Sequence, residues 1–155
     1  MRIDGLHLEF FRNYSQAVVE FDPACNVIFG ENAQGKTNLL EALAYLSRGK
    51  SIRARTDREM IGFGADFAVA EVRVCARERE FRVRAELFRD RRRKLSVNQT
   101  PVKRNADLSQ VYNTVFFCPE DLYLIREGAA ARRRFLDTAL CQLRPRYAAG
   151  LAEYH

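Results

Sequence analysis

From Ile3 to Phe10, apolar Leu6, Leu8 and Phe10 alternate with polar His7 and Glu9, the period of two that a strand with one buried face requires. A turn at Asn13 returns the chain, and Ala17 to Phe21 pairs back as a second strand. Asp22 and Pro23 punctuate before Cys25 to Phe29. There Val27, Ile28 and Phe29 follow one another without a polar break, which predicts a third strand buried on both faces. Leu39, Leu40, Leu43 and Leu46 then recur at helical spacing from about Lys36 to Ser47, and Gly49 stands where a helix commonly ends. Farther on, Ala70, Val72 and Val74 alternate with Glu71 and Arg73, and Phe81, Val83, Ala85 and Leu87 with Arg82, Arg84 and Glu86. These two segments predict antiparallel strands with one wet face.

Lys94 to Val97 and Thr100 to Lys103 flank Asn98-Gln99, and Asn tolerates the left-handed conformation that a two-residue hairpin demands. Val115 to Cys118 is another continuous apolar run. Pro119, Glu120 and Asp121 after it predict a short helix, because proline fits the first helical position and acids complement the helix dipole. Gly128 separates that helix from a second one with the apolar stripe Phe135, Leu136, Ala139, Leu140 and Leu143, and Pro145 breaks it. At 155 residues, 47% of them hydrophobic, the chain has the size and apolar content of one compact domain. No stretch approaches the roughly 20 apolar residues of a membrane span, and the N-terminus has no long apolar region for secretion. A cytoplasmic location with no membrane partner is expected. Cys25, Cys75, Cys118 and Cys141 lie far apart without CxxC spacing, which argues for buried reduced thiols rather than a zinc site or a disulfide framework.

The chemistry is concentrated between the third predicted strand and the helix after it. Gly30-Glu31-Asn32-Ala33-Gln34-Gly35-Lys36-Thr37 fits GxxxxGK(S/T), a loop in which each fixed position answers a physical need. Gly30 and Gly35 let the backbone turn its N–H groups inward around a phosphate. Lys36 brings a cation to the β and γ phosphates of ATP, and Thr37 offers a hydroxyl to Mg²⁺. The helix that starts there adds its positive dipole end. Strand, glycine loop, helix is the context the motif requires.

Three stretches carry a likeness beyond the generic loop. These are Phe11-Arg12-Asn13-Tyr14, GENAQGKTNLLEALAYLSRGKS from Gly30, and CPEDLYLIREGAAARRRFLD from Cys118, and together they resemble the RecF family from the first residues to about Leu143. The first two are shared with SMC-type repair ATPases, whereas the PEDL and RRRFLD segments are more particular to RecF. The resemblance implies an α/β fold, a P-loop NTPase of the ABC/SMC type, with an N-terminal lobe of mixed and antiparallel strands followed by helices. Residues 1–105 are then the ATPase lobe, and 106–155 the last core strand and the start of a helical subdomain. It further implies that Gly30 to Asn38 contact the phosphates and Mg²⁺, with Arg12 and Asn13 close to the nucleotide. Implied partners are DNA at single-strand gaps or near junctions, a second copy held by ATP, and recombination mediator proteins; the implied role is support of recombinase loading and the SOS response.

The sequence departs from the family pattern in places. GKSIRARTD carries Ile52 where an aromatic or His is common and Ala54 before Arg55, and Asn98-Gln99 replaces Asn-Gly, a change that costs turn stability because Gln resists positive φ. An apolar strand ending in Asp-Glu and a Ser-Gly signature helix, both needed for hydrolysis in ABC-type sites, do not occur. The chain is therefore expected to be the N-terminal portion of a longer protein, to bind ATP weakly by itself and to hydrolyse almost none, and no catalytic residue is assigned.

A net charge of +6 makes a polyanionic partner plausible, and nine basic against four acidic residues between Arg77 and Lys94 leave a local excess of five. Arg91, Arg92, Arg93 and Lys94 cluster near a turn and are the expected DNA contacts. Two other readings stay open: a small P-loop kinase acting on a metabolite, and a non-enzymatic DNA-binding module that keeps a P-loop. Against the kinase, antiparallel strands precede the P-loop strand, whereas simple kinases begin with it.

Overall fold

The computed structural model describes residues 1–119 and 128–154. Its centre is one antiparallel sheet of six strands: β1 (Arg2–Phe11), β2 (Tyr14–Glu20), β3 (Phe67–Ala76), β4 (Arg79–Phe88), β5 (Lys94–Val97) and β6 (Thr100–Pro101), in the order β2-β1-β3-β4-β5-β6. The alternation read from the sequence sets which side is buried. Leu6 opposes Val72 and Leu8 opposes Ala70 across β1 and β3, and Val72 and Ala70 oppose Val83 and Ala85 across β3 and β4. All six are at most 2% exposed. A register shift between Ile3 and Gly5 adds one residue to β1 and sets Ile3 opposite Val74, on the same face as Leu6 although the two are an odd step of positions apart.

Helix α1 (Lys36–Arg48) covers that face over β3 and β4. Ala70 and Ala85, both fully buried, keep the sheet low beneath it, and Leu39, Ala42, Leu43 and Leu46 fill the space between. Leu40 points away and is partly exposed. Gly49 ends α1 in the left-handed region at φ 63°, its N–H donating to the Tyr45 carbonyl at 2.7 Å. The short helix α2 (Asn105–Leu108) packs against α1 and adds Leu108 and Tyr112 to the core, with the Tyr112 hydroxyl donating to the Leu43 carbonyl. On the opposite face Arg84 is held between Glu71 and Glu86 at 3.2 and 3.1 Å, and Arg73 pairs with Glu20. The predicted hairpin forms around Asn98 and Gln99, which take φ 48° and 68°.

Three expectations need correction or restriction. Cys25 to Phe29 is not a strand buried on both faces; it lies outside the sheet, with Val27 80% and Phe29 88% exposed. Val115 to Cys118 also lies outside it, with Val115 and Phe117 exposed. A run without alternation becomes a strand only where neighbours on either side supply its hydrogen bonds, and among the described residues neither segment is paired into a sheet. The helix expected from Pro119, Glu120 and Asp121 falls mainly outside the described residues. Helix α3 (Ala129–Leu143) forms after Gly128, and α4 (Pro145–Tyr154) begins at the proline that breaks the chain at Arg144. Yet no residue of α3 is buried, and its stripe of Phe135, Leu136, Leu140 and Leu143 is exposed.

Arg48 stands in the last turn of α1. Its Nε and Nη2 are buried without a hydrogen-bond partner among the described residues, and burial lowers its pKa.

Candidate nucleotide site

The loop from Gly30 to Gly35 enters α1 through three residues at positive φ: Gly30 at 146°, Ala33 at 67° and Gly35 at 101°. Gly35 is required twice. Its φ is closed to most side chains, and a Cβ there would lie 2.6 Å from Asn13 Oδ1. That contact identifies what holds the loop. Asn13, in the turn between β1 and β2, donates from Nδ2 to the Gln34 carbonyl at 3.1 Å and accepts on Oδ1 from Asn38 Nδ2 at 2.9 Å. Asn38 in turn accepts from Arg53 at 3.2 Å. One exposed amide thus clamps both sides of the glycine at the start of the helix.

The first N–H groups of a helix have no partner within it. In α1 no side chain takes their place: Gly35 as N-cap makes no side-chain hydrogen bond, and the first turn carries no acid. Lys36 stands beside this end, its Nζ donating to the Gly30 carbonyl at 2.8 Å and to that of Glu31. Thr37 is exposed one residue farther on. An uncapped positive helix end with an adjacent ammonium fits a polyphosphate, and the Thr37 hydroxyl is the group on this loop that would reach an accompanying Mg²⁺. Glu31, Asn32 and Gln34 are exposed on the rim.

Arg12 is placed differently from its neighbour. It sits at φ 55°, and its guanidinium turns inward to Glu41 of α1, Nε to Oε2 at 2.9 Å and Nη2 to Oε1 at 2.8 Å. Its Nη1 donates to the Glu59 carbonyl at 2.7 Å and its backbone N–H to that of Met60 at 2.8 Å. Glu41 is fully buried and also accepts from the Ser51 hydroxyl. Burial pushes the Glu41 carboxyl up, but the hydrogen bonds from Arg12 and Ser51 and the charges of Arg12 and Arg53 outweigh it and hold its pKa below the ordinary value. The pair ties the P-loop helix to the β1–β2 turn and to the 3₁₀ turn Asp57–Met60. Reading the chain assigned no role to Glu41 or Ser51. The one available signal was a carboxylate beside the leucine stripe of α1.

The four basic residues expected on DNA divide. Arg91, Arg92 and Lys94 are exposed, with the Arg91 guanidinium 3.9 Å from the Phe88 ring centroid and Lys94 Nζ 5.9 Å from it. Arg93 is engaged internally, donating to the Tyr45 hydroxyl at 2.9 Å, to both Asp57 oxygens at 3.0 and 3.2 Å and to Asn105 Oδ1 at 2.9 Å. Among the described residues no cluster of three or more His, Cys, Asp or Glu side chains could hold a metal, and no helix is long and apolar enough to cross a membrane.

Comparison with known proteins gives this geometry a lineage. A family model described as an AAA domain matches residues 5–127. The DNA replication and repair protein RecF of Agathobacter rectalis is 43% identical over 156 residues, covering 100% of this chain and 43% of that protein. That of Leifsonia xyli subsp. xyli is 43% identical over 154 residues, covering 99% and 40%. The chain thus spans about two fifths of the length of these relatives. A solved structure of the recombination mediator protein RecF with ATP, from the RecFOR pathway, superposes with a TM-score of 0.93 at 30% identity, over 99% of this chain and 41% of that one. A solved SMC ATPase superposes with a TM-score of 0.71 at 21% identity over 88% of this chain, a likeness of fold alone. The fold is that of a P-loop NTPase of the ABC/SMC type, and the chain belongs to the AAA-domain family and, within it, to the RecF group.

Proposed function

We propose that this chain is the nucleotide-binding portion of a DNA-repair ATPase, taking ATP with Mg²⁺ at Gly30 to Asn38 and DNA through the basic segment at Arg91 to Lys94. The observation that carries this reading is the uncapped start of α1 behind an amide-braced glycine loop, with Lys36 beside it. With nucleotide bound, Lys36 would hold the β and γ phosphates, the loop N–H groups and the helix end would take the remaining charge, and Thr37 would hold Mg²⁺. Asn13 acts as a positioning residue that keeps Gly35 and Asn38 in register, and Arg12 fixes the helix from behind through Glu41. Phosphoryl transfer relies on several charged groups acting at once, so the isolated chain binds nucleotide with little turnover. The same reading has this half-site close against a second copy, on DNA at single-strand gaps or junctions, in support of recombinase loading with mediator proteins and of the SOS response. The RecF names of the relatives and the ATP named for one solved neighbour support this.

The test is Mg²⁺-dependent binding of a fluorescent ATP analogue to the chain and to Lys36→Ala, with and without DNA. Loss of the charge-assisted phosphate contacts lowers affinity by about tenfold or more. Equal binding by the two proteins would place the nucleotide elsewhere, and metal-dependent turnover by the chain alone would overturn the half-site reading.

A further inference from the structure

Between the 3₁₀ turn and β3 the chain makes a four-residue turn, Gly62-Phe63-Gly64-Ala65, whose Phe63 is the most exposed large apolar side chain among the described residues. The turn that carries it is braced on every side. Ala65 N–H donates to the Gly62 carbonyl at 3.2 Å, and Gly64 takes φ 77°, a value that a tight turn of this kind reserves for glycine. Arg89, the residue after β4, staples both ends, its Nε donating to the Ala65 carbonyl at 2.6 Å and its Nη2 to that of Gly62 at 3.1 Å. The Gly62 N–H donates to the Phe10 carbonyl at 2.7 Å, and a Cβ on Gly62 would lie 3.0 Å from that same oxygen, so the turn is seated against the end of β1. Phe10 is itself partly exposed, with its ring edge-on to Phe67 at a centroid distance of 5.4 Å. An apolar ring held in water by a rigid turn lowers the free energy only when a second apolar or flat surface covers it. The neighbourhood of the turn says which surface. From Phe10, β1 runs on to Asn13, the amide that clamps Gly35 and Asn38 at the glycine loop. At about 3.3 Å per residue the three steps from Phe10 to Asn13 span at most roughly 10 Å, within the reach of a nucleoside beyond its phosphates. Phe29, the other exposed ring near the loop, precedes Gly30 and stands at the opposite end of the motif from Asn38.

We propose that Phe63 is the base-stacking residue of the nucleotide site and sets its preference among bases. This rests on the nucleotide reading above and deepens it. With the β and γ phosphates at Lys36, the nucleoside extends past Asn13 and Asn38 and lays the face of its base on the Phe63 ring. Gly62, Gly64 and Ala65 carry no polar side chain, so the turn grips the face of a base rather than its hydrogen-bonding edge. Selection is then by stacking area, purine over pyrimidine. Arg89 is a positioning residue that keeps the turn, and with it the ring, in place.

The experiment titrates the chain, Phe63→Ala, Phe63→Trp and Lys36→Ala with ATP, UTP and inorganic tripolyphosphate, each with Mg²⁺, by calorimetry. Loss of the ring is expected to weaken ATP about tenfold and to remove the preference for ATP over UTP, while tripolyphosphate, which has no base, binds within about twofold of the parent chain. Unchanged tripolyphosphate binding also shows that the variant folds. The chain contains no Trp, so Phe63→Trp introduces a single reporter. That variant should retain ATP affinity, and its emission should be quenched by ATP but not by tripolyphosphate. If Lys36→Ala weakens ATP and Phe63→Ala does not, the base assignment falls and the phosphate reading stands. A Phe63→Ala that weakens ATP and tripolyphosphate alike would make the ring a structural support of the loop and overturn the proposal. If the chain binds none of the three, or Lys36→Ala binds them as the chain does, both readings fall.

Discussion

The sheet with α1 and the segments around Phe29, Phe117 and α3 are built from equally apolar sequence and have opposite fates. Leu8, Val72, Ala85 and Leu46 are sealed between sheet and helix, whereas Val27, Phe29, Val115 and Phe117 stand in water. The difference is not one of composition. Leu8 and Ala85 lie opposite Ala70, Val72 lies opposite Val83 and Leu46 packs in the same core, whereas the second group belongs to no strand or helix. Apolar surface lowers the free energy only when something covers it. Contiguous exposed patches of this kind mark contact surfaces rather than solvent faces.

Five substitutions, grouped in three tests, probe this contrast. Arg12→Ala strands a fully buried carboxylate inside the packed half, and urea denaturation should show a loss of about 3–5 kcal/mol. Arg12→Ala would also change the acid limb of stability. Because the folded pKa of Glu41 is depressed, its contribution is complete above the unfolded carboxylate value of about 4.3 and disappears as pH falls through the lower folded value. In Glu41→Gln that stretch of the pH profile should flatten; an unchanged profile would remove Glu41 as its source. Next, Leu8→Ala should cost about 2–5 kcal/mol through lost burial and a cavity, while Phe29→Ala, with nothing packed on its ring, should stay within about 0.5 kcal/mol. Equal losses would show that Phe29 is covered in solution and that the contrast is wrong. The last test is the one expected to raise stability. Arg48→Met removes a cation whose Nε and Nη2 are buried without partners, and should stabilise the chain by about 1 kcal/mol in the same denaturation experiment.

What could be read from the sequence follows the same division. The strands around Val72 and Val83, the hairpin at Asn98-Gln99 and the helix stop at Gly49 depend on local alternation or backbone conformation, and the structure has all three. The glycine loop was legible because every fixed residue of its motif lies within eight positions. The exposure of Cys25 to Phe29 was not, because a parallel or central strand is defined by neighbours that its own residues do not encode. Two parts of the candidate site were also hidden for lack of local signal. Glu41 meets an arginine 29 residues away, and the inward turn of Arg93 depends on Asp57, 36 residues away. A run of four basic residues looks uniform in sequence, yet the fold uses one of them as an internal brace.

The glycine at the head of α1 has one more consequence. A Ser or Asp cap would hold that helix end at all times, by about 0.5–2 kcal/mol. Gly35 leaves it to whatever anion docks there, so folding and occupancy draw on the same free energy. At a ligand concentration one hundred times Kd, mass action adds about 2.7 kcal/mol to the folded state. The unfolding temperature of the chain is thereby a gauge of how much phosphate ligand surrounds it.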